Sequence, residues 1–106
     1  MEPVAVLVTH RTRDGQRDAV RAIWEEHMAP AVTANPGHLS YAYCFDDAEP
    51  EVICAFQIYR NADEAAAFQH EPAYAAYEKA VAPLLTGPPS VRRLTPEWMK
   101  VAADEG

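Results

Sequence analysis

HLSYAYCFDDAEPEVICAFQIY (His38–Tyr59) is the stretch that decides the fold. In its first run Leu39, Tyr41, Tyr43 and Phe45 occupy one phase and His38, Ser40, Ala42 and Cys44 the other. A period of two is what a pleated strand imposes, because successive side chains leave opposite faces. The acidic DDAEPE (Asp46–Glu51) interrupts the apolar run, and VICAFQIY (Val52–Tyr59) resumes it with β-branched and aromatic residues. Strand, short polar turn and strand predict an antiparallel hairpin. In the second strand Val52, Cys54, Phe56 and Ile58 share one face while Ile53, Ala55 and Tyr59 share the other, so both faces need cover.

Working outward, VAVLVTH (Val4–His10) has no helical stripe and reads as a largely buried strand, ended by the turn residues RDG (Arg13–Gly15). From Gln16 the period changes. Val20, Ile23, Trp24, His27, Met28 and Ala31 form the stripe of an amphipathic helix, which Pro30 is expected to distort or end early and NPG (Asn35–Gly37) to stop. Beyond the hairpin, NADEAAAFQH (Asn61–His70) opens a second helix, N-capped by Asn61 or Asp63. It continues, divided at Pro72, to about Leu85; TGPP (Thr86–Pro89) ends it and SVRRL (Ser90–Leu94) is a last short strand. The order is β-α-β-β-α-β: an α+β, ferredoxin-like fold whose antiparallel sheet carries two helices on one face. Nothing else in the chain is left to cover the other face, so the expectation is a homodimer packed sheet to sheet. Residues 1–94 form the domain, and 95–106, with Trp98 and Met99, a tail able to contact the partner subunit.

Composition narrows the partners. The chain has 106 residues, 49% hydrophobic and 24% charged, which suits one soluble globular domain. A net charge of −7 argues against nucleic acid or an anionic membrane, since phosphate contacts need clustered basic side chains. Arg11, Arg13, Arg17 and Arg21 are interleaved with Asp14 and Asp18 and read as a solvated face. No apolar run approaches the ~20 residues of a membrane span. MEPVAVLVTH lacks the basic segment and cleavage site of a signal peptide, so a cytoplasmic location is expected. Cys44 and Cys54 fit neither a CxxC nor a zinc spacing and are read as free, buried thiols.

No phosphate loop, nucleophile elbow, zinc helix or dinucleotide fingerprint occurs, and the four histidines lie in four different elements, so no metal is expected. What remains is a set of polar residues in apolar elements: His10 ending the first strand, Gln57 in the third, and His70 beside the Pro72 break. Trp24, Tyr41, Tyr43, Phe56, Tyr59, Phe68, Tyr74 and Tyr77 surround them in sequence. An apolar pocket with a few convergent polar groups is the usual form of a small-molecule site, and histidine is the natural base near neutral pH. Plain alternatives stand beside this: His10 ending a strand in water, His38 on the surface after its turn, Gln57 bonded to backbone, and Tyr74 and Tyr77 packing a core.

The words THRTRDGQ, NPGHLSYAYCFDD and AFQIYRNADEAAAFQH, followed by YAAY and by LL.G.P.V, occur in an order that resembles the antibiotic biosynthesis monooxygenase (ABM) family over about Val4–Leu94. The resemblance implies a dimeric α/β barrel and a monooxygenase using neither metal nor flavin, hence no cofactor. Such enzymes oxidise an electron-rich quinol, phenol or polyketide anthrone with O2. It implies His70 or His10 as the base, Gln57, Tyr41 or Tyr74 as hydrogen-bond donors, and Trp24, Phe56 and Phe68 as walls. The chain departs from the family pattern twice: Gln57 stands where a glutamate is usual, and EPAY (Glu71–Tyr74) lacks a second histidine. The Gln57 substitution favours an alternative, a non-catalytic dimeric barrel that binds a hydrophobic small molecule or serves as a stress-linked accessory subunit. A haem-degrading branch of the fold is disfavoured, because Glu78 and Phe68 fall where its histidine and tryptophan stand.

Overall fold

The hairpin alternation is realised as half of a four-stranded sheet. In the computed structural model, which describes residues 2–100, the chain runs β1 (Val4–Arg11), α1 (Arg17–Ala34), β2 (His38–Phe45), β3 (Val52–Tyr59), α2 (Ala62–Phe68), α3 (Pro72–Val81) and β4 (Ser90–Leu94). Sheet order is β2-β3-β1-β4, and each neighbouring pair is antiparallel. This is the ferredoxin-like topology that the element order predicts. The part of the expected tail from residue 101 lies outside the described residues.

One sheet face carries the core. Val6, Val8, Ile53, Ala55 and Tyr59 pack beneath Val20 and Met28 of α1, Ala65 and Phe68 of α2, and Tyr77 and Val81 of α3. Gly15 enters α1 with φ of +75°, a conformation that costs glycine little. Arg17 then reaches across to the hairpin turn. Its Nη1 donates to the carbonyls of Asp46, Glu49 and Val52 at 2.9, 3.0 and 3.1 Å, and its guanidinium lies 4.0 Å from the Phe45 ring centre. The second helix is divided as expected: Asn61 caps α2 by accepting from the Glu64 N–H, and Pro72 occupies the first turn of α3, where a missing N–H is harmless.

Three expectations are corrected. Pro30 does not end α1, which continues to Ala34. The proline is exposed, as is Glu26, whose carbonyl loses its helical donor where water can replace it. Second, the strict alternation of β2 is broken between His38 and Ser40: His38 pairs with Tyr59 and Ser40 with Ile58, leaving Leu39 as a bulge. The extra residue turns His38 to the helix face, with Tyr41, Tyr43 and Phe45, and leaves Leu39 exposed, so His38 is half-buried where a surface position was expected. Third, Cys44 and Cys54 are free and directly opposed across β2 and β3, but Cys44 is exposed, because its strand phase belongs to the other sheet face.

Among the described residues that other face carries no helix. Leu39, Phe56, Ile58 and Leu94 line a trough of about 720 Å³ together with residues of the 95–100 segment. Trp98 in that segment is 81% exposed.

Candidate functional site

The helix-facing side chains of the central strands are not all apolar. His10, Thr12 and Gln57 are the buried polar residues of the described chain. His10 and Gln57, with Tyr41 and Tyr43 of β2, Trp24 of α1 and Tyr77 of α3, close on a cavity of about 20 Å³, enough for one water-sized group. Tyr74, Glu78 and Pro89 also line it, with Val8, Met28 and Ala55 of the core. A second, outer cavity of about 250 Å³ lies under the Gly87–Pro89 loop and shares His10, Glu78 and Pro89 with the first. His10 therefore stands between an inner pocket and an outer groove.

His10 is 6% exposed, and burial lowers its pKa below the ordinary histidine value, so it is neutral at pH 7. Its Nε2 lies 3.1 Å from the hydroxyl of Tyr77, 67 residues away in sequence, and the two rings meet edge to face. Its Nδ1 is buried without a protein partner, and so is the hydroxyl of Tyr43 on the same cavity. A buried polar atom left unsatisfied costs about 1–3 kcal/mol. Both residues line the same aromatic cavity.

Gln57 is held from the other side. Its Oε1 accepts from the Tyr59 hydroxyl at 2.6 Å and meets His38 Nε2 at 3.2 Å. Both bonds use the oxygen, so the two amide N–H donors are left for the cavity that Gln57 lines. The His38 ring stacks 4.3 Å from that of Tyr59 and edge-on to Phe68 at 4.6 Å, which keeps the imidazole in place. Burial lowers the His38 pKa, and the hydrogen bond to Gln57 partly opposes this. Directly opposite Gln57 in the ladder is Tyr41, whose oxygen accepts from Trp24 Nε1 at 3.2 Å. Burial pushes its phenol up to about 12, against the Trp24 hydrogen bond, so it remains protonated and able to donate.

The sequence candidates separate cleanly. His10, Gln57, Tyr41, Tyr74 and Trp24 come together around the inner cavity. Phe68 is buried behind it, against His38 and Tyr74, and supports the wall without forming it. Phe56 is on the opposite sheet face, because neighbours on a strand point opposite ways and Gln57 points inward. His70 is exposed in the turn between α2 and α3 and lines neither cavity. Sequence reading named Tyr43 and Tyr77 only among the surrounding aromatics, set His38 on the surface and gave Asn35 no site role. The alternation of β2 already paired Tyr43 with Tyr41, whereas the meeting of Tyr77 with His10 left no local signal. Among the described residues no three His, Cys, Asp or Glu side chains converge as a metal site, and no helix is long and apolar enough to cross a membrane.

Comparison with known proteins agrees with this architecture. A solved structure from Mycobacterium tuberculosis is 30% identical, covers 95% of this chain and 99% of its own, and superposes with a TM-score of 0.79. A Chloroflexus aurantiacus protein, provisionally named an antibiotic biosynthesis monooxygenase, is 22% identical with a TM-score of 0.78, covering 95% of this chain and 99% of that one. A Nitrosomonas europaea protein of the same provisional name reaches a TM-score of 0.84 at 13% identity, over 92% of each chain. No curated protein matches. The profile of the antibiotic biosynthesis monooxygenase family matches residues 3–80, and with the fold and the 30% relative this makes the chain a member of that family.

Proposed function

We propose that this protein is a cofactor-independent monooxygenase that oxidises an electron-rich aromatic, a quinol, phenol or anthrone, with O2. The observation that carries the reading is the buried, neutral His10, with one nitrogen on Tyr77 and the other free, at the junction of an aromatic cavity and an outer groove. With its proton on Nε2, donated to the Tyr77 oxygen, Nδ1 is an acceptor able to take a proton from substrate. The His10 role is chosen over His70 because only His10 lines the cavities.

The chemistry then needs little from the protein. His10 removes the acidic proton of the substrate, and the anion transfers one electron to O2. Substrate radical and superoxide recombine with formation of a C–O bond. The protonated His10 gives its proton to the resulting peroxide anion. At a methylene carbon it then takes the remaining C–H proton, the C–H electrons form the carbonyl as the O–O bond breaks, and the departing hydroxide receives that proton as water. One oxygen atom enters the product and the other leaves as water. The enclosed aromatic walls of Trp24, Tyr41 and Tyr74 exclude bulk water from the reactive anion. Outward movement of Pro89 and Glu78, which the two cavities share, would join them and admit the ring.

The working unit is a homodimer through the open sheet face. The support is an apolar surface with Leu39 at 47%, Phe56 at 38% and Leu94 at 36% exposed, on the face no element of the described chain covers.

Oxygen uptake measured with a panel of quinols and anthrones tests the reading. His10→Ala should lower turnover at least ~100-fold, the usual weight of a general base, while His70→Ala stays near wild type. Absence of oxygen uptake over the panel, with binding of the same aromatics retained, would replace catalysis by a non-catalytic binding role.

A further inference from the structure

The hydrogen bonds around Gln57 form a chain in which each link dictates the polarity of the next. It begins at a backbone N–H, which can only donate. Gly37 N–H donates to Asn35 Oδ1 at 3.2 Å, so the oxygen of that side chain is committed and its nitrogen faces His38. Asn35 Nδ2 lies 2.9 Å from His38 Nδ1 and, as a donor, makes Nδ1 the acceptor. A neutral imidazole then carries its proton on Nε2 and donates it to Gln57, 3.2 Å away. The Tyr59 hydroxyl donates to the same oxygen at 2.6 Å. The Gln57 amide is thereby locked with its NH2 group toward the cavity. Tyr41 is locked independently: Trp24 Nε1 is a donor only, so the Tyr41 oxygen accepts and its own proton is free to point elsewhere.

We propose that Gln57 and Tyr41, register partners on β3 and β2, form a paired donor site for one acceptor-only oxygen of the ligand, a phenolate, enolate or ring carbonyl, and that Asn35, His38 and Trp24 are the positioning residues that set its polarity. The inference rests on the oxidation reading for its substrate and adds to it which end of the substrate enters. The inner cavity, about 20 Å³, takes a group the size of one oxygen, and the ring follows from the outer groove. A hydroxyl that must donate finds two donors there and is disfavoured. The same oxygen as an anion is favoured, which promotes the deprotonation assigned to His10. A glutamate at position 57 would place an acceptor where this chain places a donor, so the Gln57 departure from the family pattern changes the function of the position without emptying it.

The test is an anaerobic absorbance titration of bound p-nitrophenol, whose phenolate is coloured and whose binding needs no turnover. The donor pair predicts that the bound probe ionises at lower pH than the free one, with the phenolate bound at least ~10-fold tighter than the phenol. Gln57→Glu and Tyr41→Phe should each remove about tenfold of that preference. His38→Phe keeps the stack on Tyr59 and Phe68 and, like Asn35→Ala, should remove a smaller part; a merely structural role would lower the melting temperature and leave the titration unchanged. The proposal is overturned if the wild-type protein does not bind the probe at millimolar concentration, does not prefer phenolate, or keeps its preference in both Gln57→Glu and Tyr41→Phe. Phenolate preference without oxygen uptake would sink the oxidation reading and leave the donor pair standing. Oxygen uptake without phenolate preference would do the reverse.

Discussion

Lowering the pH from 7.5 to 5.5 should destabilise this protein, and the size of the loss follows from two histidines. Burial lowers the pKa of His10 and of His38 in the native state. In the unfolded chain each returns to about 6.5, so below that pH the unfolded state binds protons that the native state refuses. Stability is therefore fully present above about pH 6.5 and falls as the pH drops from there toward the lowered native values. A histidine that stays neutral down to pH 5.5 contributes a loss of at most about 1.4 kcal/mol over this range. For a domain of this size that is roughly 5–10 °C in melting temperature; His38, half-buried and with its lowering opposed by the Gln57 hydrogen bond, adds a smaller part. Asp46 does not confuse the window, because backbone N–H groups of Ala48 and Glu49 hold its carboxyl below the ordinary value, and its effect belongs to more acidic conditions. Thermal melts across the range at fixed protein concentration measure the slope, and His38→Phe should remove part of it. A melting temperature that is level or rises on acidification would refute the placement of a buried, neutral His10 and a half-buried His38.

Three further outcomes follow from the packing. Arg17→Met keeps the stem but removes the donor on which three carbonyls of the hairpin turn converge, and should cost about 2 kcal/mol in urea denaturation. Tyr77→Phe removes only the hydroxyl that meets His10 and should cost about 1–3 kcal/mol while reducing oxygen uptake; an unchanged pH–rate profile would exclude the His10–Tyr77 pair from the site. Phe56→Glu places a charge on the open sheet face, should leave the fold intact by circular dichroism, and should yield a monomeric mass in light scattering; wild-type protein that is already monomeric at micromolar concentration would sink the dimer.

The candidate site was legible where its signal was local. Gln57 stood out as an amide inside VICAFQIY, and strand phase alone put it on the face with Ile53, Ala55 and Tyr59. The same phase excludes Phe56 from that face, although its aromatic ring invited a place in the wall. His70 was attractive because a proline break adjoins it, yet the break only restarts the helix, and the residues before Pro72 turn outward. His38 was hidden by a single inserted residue, Leu39, since a bulge moves one side chain across the sheet without disturbing the pattern around it.

By itself the sequence determined the order of elements and most of their inward faces, because periods of two and of 3.6 are properties of the local backbone. Tertiary structure alone decided which polar groups meet: His10 with Tyr77 across 67 residues, and Gln57 with His38 across the hairpin. Those meetings depend on strand register, on one bulge and on how the α3 helix lies over the sheet, and no local pattern encodes a distance between elements.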